Sequence, residues 1–298
     1  MIQKIIRKVE KKFYRSRDKY IGRKRVQYLK RTEVAYGLNK DNSKNPKYIV
    51  SMASYSGRYS VLPITLKSLL CQKIKPDKII VWLDKENEEN QITEELEKLC
   101  KYGIEFRYTE DALKPHKKYL YVMKEFPKAN IITVDDDVIY SEDLIESLMK
   151  AHNKYPNSIC ARRVHRISFD ENGNINPYVL WDYEYRKAKK PSILLCATGG
   201  GGILYPSGIL PEDTFDIQKI KELSLEADDM WLKVMELINH IPVVWVKSKY
   251  VTPLNIENSQ LTALHIDNVG KGRNDMFLLR LFKEYPDAYR ILKEEQDD

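Results

Sequence analysis

The chain has 298 residues, 43% of them apolar and 10% aromatic, with a net charge of +7. These values exclude a disordered chain and allow one large core or two modest ones. No apolar run approaches the roughly 20 residues that span a bilayer, and the N-terminus lacks the apolar stretch of a secretory signal, so a cytosolic location is expected.

Charge is unevenly spread. Residues 1–31 hold 13 Lys and Arg against 2 Asp and Glu, leaving 37 basic and 41 acidic residues for the rest. The mildly acidic body argues against nucleic-acid binding. In the arm, Ile2, Ile5, Ile6, Val9 and Phe13 recur at helical spacing among Lys4, Arg7, Lys8, Lys11 and Lys12. A basic amphipathic helix of this kind suits an anionic leaflet, each basic group contributing about 1 kcal/mol. The same pattern also suits a charged helix packed on its own domain or on a partner. The expectation is a basic arm over residues 1–40, peripheral at the inner face of the membrane. Polar residues 38–47, with Asn39, Asp41, Asn42, Ser43, Asn45 and Pro46, mark its end.

After that boundary the pattern alternates. Residues 48–52 read as a strand and 61–71 as a helix with Leu62, Leu66, Leu69 and Leu70 on its apolar side. Residues 78–83 are a strand, 93–101 a helix, 104–108 a strand, 119–125 a helix and 131–134 a strand. Such alternation implies βαβ units and a largely parallel sheet, whose ligands bind beyond the carboxyl ends of the strands. Both the 51–58 loop and the acids Asp135, Asp136 and Asp137 fall at such ends. Strand alternation would turn Asp135 and Asp137 to one side and Asp136 to the other. Converging carboxylates repel unless a proton or a cation lies between them, and oxygen ligands suit Mg²⁺ or Mn²⁺. A plain strand-end turn is the competing reading.

Beyond residue 141 the alternation loosens. Helices are expected over 142–152, capped by Ser141, and over 227–239 and 275–284; strands over 158–161, 192–197 and 242–246. Cys71, Cys100, Cys160 and Cys196 show no CxxC pairing, and three of them sit in apolar surroundings, which favours reduced core thiols over disulfides or zinc. Gly199, Gly200, Gly201 and Gly202 suit either close approach of a ligand to the backbone or a structural bulge. Asp228 and Asp229 open a helix, where acids serve either as caps or as a base for an attacking hydroxyl. The loop from His265 through Lys271 and Arg273 has groups to close over a diphosphate, His265 being a candidate metal ligand. Lys114, Lys117 and Lys118, and Arg162, Arg163 and Arg166, are candidate phosphate contacts or solvated basic faces.

Four of these motifs in order, "SMASYSGRYSVLPITLKSLLCQKIKPDKIIVWLD", "ITVDDDVIY", "ATGGGGILYP" and "ADDMWL", resemble a GT-A-type glycosyltransferase of bacterial capsule and lipopolysaccharide synthesis. The acidic and glycine-loop motifs are more distantly similar to the exostosin domain. The resemblance covers residues 47–285 and implies an α/β, Rossmann-like, mostly parallel sheet flanked by helices. Residues 47–140 would be its nucleotide-binding half and 141–285 its acceptor half, followed by a charged tail over 286–298. It implies transfer of a hexosyl or N-acetylhexosaminyl group from a nucleotide diphosphate donor, UDP first, to a glycan or lipid-linked acceptor, with Mn²⁺ or Mg²⁺. Ser51, Ser54, Arg58, Asp84, Lys117, Asp135, Asp136, Lys271 and Arg273 would hold the donor. Asp135, Asp137 and His265 would hold the metal, and Gly199 to Gly202 with Trp231 the acceptor. Asp228 or Asp229 would be the base of an inverting reaction, or would position the acceptor in a retaining one. A sugar nucleotidyltransferase and a non-catalytic glycan-binding protein share the architecture. The first usually opens with a glycine-rich phosphate loop, where this chain has only Gly57.

Overall fold

The computed structural model describes residues 2–41, 45–85, 87–88, 91–250, 252–256 and 272–295. The strands are β1 (Tyr48–Ala53), β2 (Lys78–Leu83), β3 (Ile104–Tyr108), β4 (Asn130–Thr133), β5 (Val138–Ile139), β6 (Ile159–Ala161), β7 (Val164–Arg166), β8 (Leu195–Ala197), β9 (Ile203–Tyr205), β10 (Val243–Trp245) and β11 (Leu254–Asn255). Seven of them form one sheet in the order β10-β6-β9-β4-β1-β2-β3. Their residues are rich in Ile, Val and Leu because both faces of this sheet are covered. All its pairings are parallel except those of β9, which runs antiparallel to β4 and β6. The α/β, mostly parallel architecture is the one the sequence implies.

Strand β9 determines where the second half of the site falls. Its first residue, Ile203, pairs with Thr133 at the end of β4 and with Ala161 at the end of β6. The glycines before β9, the arginines after β6 and the aspartates after β4 therefore meet at one edge. One face of the sheet packs on helices Leu62–Leu70 and Leu144–Lys154. The opposite face packs on helices Asp228–Ile238 and Arg273–Glu284.

Several boundaries differ from the sequence reading, each for a local reason. The helix expected over 93–101 stops at Glu97 and continues as a 3-10 turn, Cys100–Tyr102, closed by Gly103 at φ +104°. The Ser141 hydroxyl does not cap a helix: it donates to Asp143 at 2.6 Å and accepts from Arg162 at 2.9 Å. The chain over 286–298 is not simply a charged tail, since Pro286–Glu294 is helical and buries Ala288, Ile291 and Leu292. Cys160 and Cys196 are buried and Cys71 half-buried, but Cys100 is exposed. Among the described residues no helix is long and apolar enough to cross a membrane.

The basic arm is helical from Ile2 to Arg31. Its later part is a packing element. Leu29 is fully buried in a cluster with Ile64, Ile139, Leu254 and Ile256. Asp18, 1% exposed, accepts from the Thr252 amide at 3.0 Å, and Arg25 pairs with Glu142 at 3.1 Å. Because these contacts hold β11 against the body, a chain starting near residue 40 uncovers them. We expect such a chain to melt well below the full-length protein. Leu29→Ala alone should cost about 2–5 kcal/mol in chemical denaturation, as buried Leu deletions do. Unchanged stability in both would make the helix an accessory.

Candidate active site

A cleft of about 1280 Å³ opens at the edge where the strand ends meet. That is larger than the roughly 300–1,000 Å³ of a typical single-ligand pocket, leaving room for two reactants. Its walls carry Ser54, Arg58, Asp84 and Lys117 from the first half, the three aspartates after β4, and Asp228 and Asp229 from the second.

The acids do not alternate as strand residues would, because β4 ends at Thr133 and the chain then turns. Asp136 accepts from the Ser54 hydroxyl at 2.6 Å. Arg58, itself buried, lies 3.3 Å from Asp137 and 4.0 Å from Asp136. Burial, then repulsion from Asp137, pushes the Asp136 carboxyl up to about 7. Asp135 faces the other way, toward the glycines and the ammonium of Lys118, 2.9 Å distant.

Lys118 is 5% exposed, and its Nζ also lies 2.7 Å from Asp228. Burial opposes its charge, but Asp135 and Asp228 outweigh that and hold the ammonium well above its ordinary value. Burial likewise favours the neutral form of Asp228, and Lys118 reverses it, so this carboxyl sits below its usual range. Asp229 behaves oppositely: burial, then the charge of Asp228, raises it to about 8. Two adjacent carboxyls with opposed protonation preferences are a pattern of acid–base sites. His116 beneath them is fully buried, and burial pushes it down to about 4. The neutral ring is assigned with Nε2 donating to the Ser224 carbonyl at 2.9 Å and Nδ1 accepting from the Tyr119 hydroxyl at 2.8 Å.

The glycine run is shaped by this cluster. A Cβ on Gly199 would stand 2.7 Å from Asp135 Oδ1 and 2.8 Å from Lys118 Nζ, and the Gly199 amide donates to Asp229 at 3.2 Å. Gly202 adopts φ +85°, which L side chains avoid. A Cβ on Gly201 would meet the Arg163 backbone, so of the four only Gly200 lines the cleft.

The remaining expected residues scatter. Asp84 accepts from Lys117 Nζ at 2.5 Å, so these two neutralise each other on the wall. Ser51 is fully buried under Trp82, whose Nε1 donates to it at 3.1 Å. Trp231 is fully buried, its Nε1 bonded to the Thr214 carbonyl, and faces the core rather than an acceptor. Arg273 pairs with Glu226 and lies over Phe277. Lys271 and His265 lie outside the described residues. Sequence reasoning took Lys118 for a phosphate contact or part of a solvated basic face, and the structure buries it between two carboxylates instead. Its place four residues before the buried Val122 in helix Lys117–Glu125 was the signal that it points inward.

Among the described residues no group of three or more His, Cys, Asp and Glu side chains is arranged to hold a metal ion. Two carboxylates, Asp135 and Asp137, do line the cleft. Asp135 is paired with Lys118 and Asp137 with Arg58, so a hard divalent cation here would rest on one carboxylate and be completed by water and substrate phosphates.

Residues 50–207 match the glycosyl transferase family 2 domain, and the chain belongs to that family. No curated protein matches it. Among solved structures it is similar to mannosyltransferase PcManGT from Pyrobaculum calidifontis, in complex with GDP-Man and Mn²⁺, at 8% identity and a TM-score of 0.50 over 93% of this chain and 76% of that one. This likeness is one of fold. It is also similar to S. aureus TarS in complex with UDP, at 14% identity and a TM-score of 0.45, over 68% of this chain. The chain spans 59% of that TarS chain.

If Asp229 is the base, it must be ionised to accept a proton, so turnover should rise with pH through about 8. Asp229→Asn should lower kcat by about 10²- to 10⁴-fold. Because the folded-state pKa is raised, the stabilising contribution of protonated Asp229 is complete below the unfolded value near 3.8 and lost as pH passes about 8. The Asn variant should therefore melt above wild type at pH 8, with the gap closing below pH 4. A flat pH profile would reassign Asp229 to capping.

Removing one partner of a buried ion pair typically costs about 3–5 kcal/mol. Lys118→Met should destabilise the fold on that scale, and adding Asp228→Asn should return part of the loss. Simple additivity of the two changes would rule out the tie between them.

Proposed function

We propose that this family 2 glycosyltransferase moves a hexosyl or N-acetylhexosaminyl group from a nucleoside diphosphate sugar to a hydroxyl of a glycan or lipid-linked acceptor, in surface polysaccharide synthesis. The observation that carries this reading is the single cleft shared by the three-aspartate turn and the Asp228–Asp229 helix start, joined through Lys118. One acidic group sits where a diphosphate and its cation would be held, the other where an acceptor hydroxyl would lose its proton. GDP-Man and Mn²⁺ in the Pyrobaculum mannosyltransferase support the donor class and the ion.

Arg58, Ser54 and Lys117 would hold the nucleotide, with Ser54 and Arg58 fixing the aspartate turn. Asp137 would hold Mn²⁺ or Mg²⁺ together with water and the donor phosphates, and the ion would neutralise charge on the leaving diphosphate. Asp228, kept ionised by Lys118, orients its neighbour and raises that neighbour's proton affinity. Asp229 accepts the acceptor hydroxyl proton as that oxygen attacks the anomeric carbon and the bond to the diphosphate oxygen breaks. A single displacement of this kind inverts the anomeric centre.

Incubation with UDP- and GDP-sugars and a glycoside panel, with released nucleotide quantified, tests the reaction. We expect EDTA to abolish turnover and added Mn²⁺ to restore it. Asp137→Ala should weaken nucleotide binding in the presence of Mn²⁺ while the protein stays folded. Full activity in EDTA would remove the metal from this mechanism.

A further inference from the structure

The second half of the cleft has a wall that neither the acidic motifs nor the glycine run accounts for. Between β7 and β8 the chain makes a long excursion, pinned by a double backbone contact between Arg166 and Asp182 and by the Tyr178 amide donating to Asp275 at 2.7 Å. The excursion delivers Tyr178, Tyr183 and Glu184 to the cleft, beside Arg163 and His165 from the β6–β7 segment.

The Tyr183 ring lies tilted over His165, with centroids 4.4 Å apart, and meets Tyr178 edge-on at 5.5 Å. Rings so braced are fixed in place. Glu184 follows at φ +51°, a left-handed conformation that non-glycine residues seldom adopt. Its amide donates to His165 Nδ1 at 2.9 Å, which holds the strained residue. The Glu184 side chain is only 10% exposed, yet it borders the cleft, with Arg163 Nε 3.8 Å away. Arg163 is partly committed elsewhere, its Nη1 donating to Thr198 at 2.9 Å. Backbone strain retained at a cleft wall is a mark of a functional position.

We infer that Glu184 and Tyr183 form the subsite that binds the acceptor sugar ring. The inference rests on the glycosyl-transfer reading. A fixed aromatic face attracts the C–H side of a pyranose, and a nearly buried carboxylate accepts strong hydrogen bonds from ring hydroxyls. Glu184 is thus a specificity residue, distinct from the carboxylates placed at the reaction.

The test uses full-length protein and p-nitrophenyl pyranosides: glucoside, galactoside, mannoside, N-acetylglucosaminide and glucuronide. Nucleotide binding is measured first by calorimetry with UDP or GDP and Mn²⁺, and glycoside binding then by saturation-transfer NMR on the nucleotide complex. We expect at least one of these glycosides to bind. Glu184→Gln should weaken that glycoside at least tenfold and leave nucleotide affinity within twofold. Glu184→Gly relaxes the backbone, so a purely structural Glu184 predicts unchanged or tighter glycoside binding there, and a recognition role predicts loss. Failure of wild type to bind either nucleotide defeats the parent reading. Nucleotide binding with no glycoside bound, or glycoside affinity unchanged from wild type in both variants, overturns the subsite alone.

Discussion

An ammonium group buried between two carboxylates is the constraint on which the site depends. Lys118 brings Asp135, from the turn after β4, and Asp228, from the start of a distant helix, within 3 Å of one nitrogen. Removing that charge from water is costly, and only two close anions make the burial tolerable. Asp228 is in turn held ionised by the lysine. The consequence passes to Asp229, whose neighbour is a permanent charge and whose own carboxyl prefers its proton. The run of glycine follows from the same packing, since Gly199 leaves the space through which Lys118 and Asp135 meet.

The sheet supplies the frame for this contact. Parallel strands place their exits at one edge, and the antiparallel β9 adds its entrance to that edge. Segments separated by nearly 100 residues in the chain thereby share one cleft. The arm contributes as well, because Asp18 and Leu29 hold the strap of β11, which pairs with β5 directly after the aspartates. A helix that reads as a charged appendage is therefore continuous with the wall of the site, and Asp18 and Lys19 line the cleft.

Much of the fold was legible. Strand β2 has the limits that its Ile- and Val-rich run implies, β3 those of its alternating Ile104, Phe106 and Tyr108, and the aspartates fall at a strand exit. Local patterns carry such information because side-chain period and β-branching act over a few residues. Errors arose where the deciding partner is remote. Ser141 bonds Arg162 rather than capping, Trp231 turns to the core, and Pro286–Glu294 is drawn into the apolar surface of helix Asp228–Ile238.

The sequence by itself determined the alternating α/β architecture, the order of the acidic and glycine motifs and the family they belong to, since each is written in contiguous residues. Only the tertiary structure decided which charges meet. Lys118 has the same composition signal as Lys117, yet one bridges the two halves of the site and the other pairs with Asp84 on the wall. Glu184 carries no motif, and its importance lies in a backbone angle and a neighbouring ring. Coulomb energies and burial depend on distances between residues far apart in the chain, and those distances exist only once the sheet has brought its edges together.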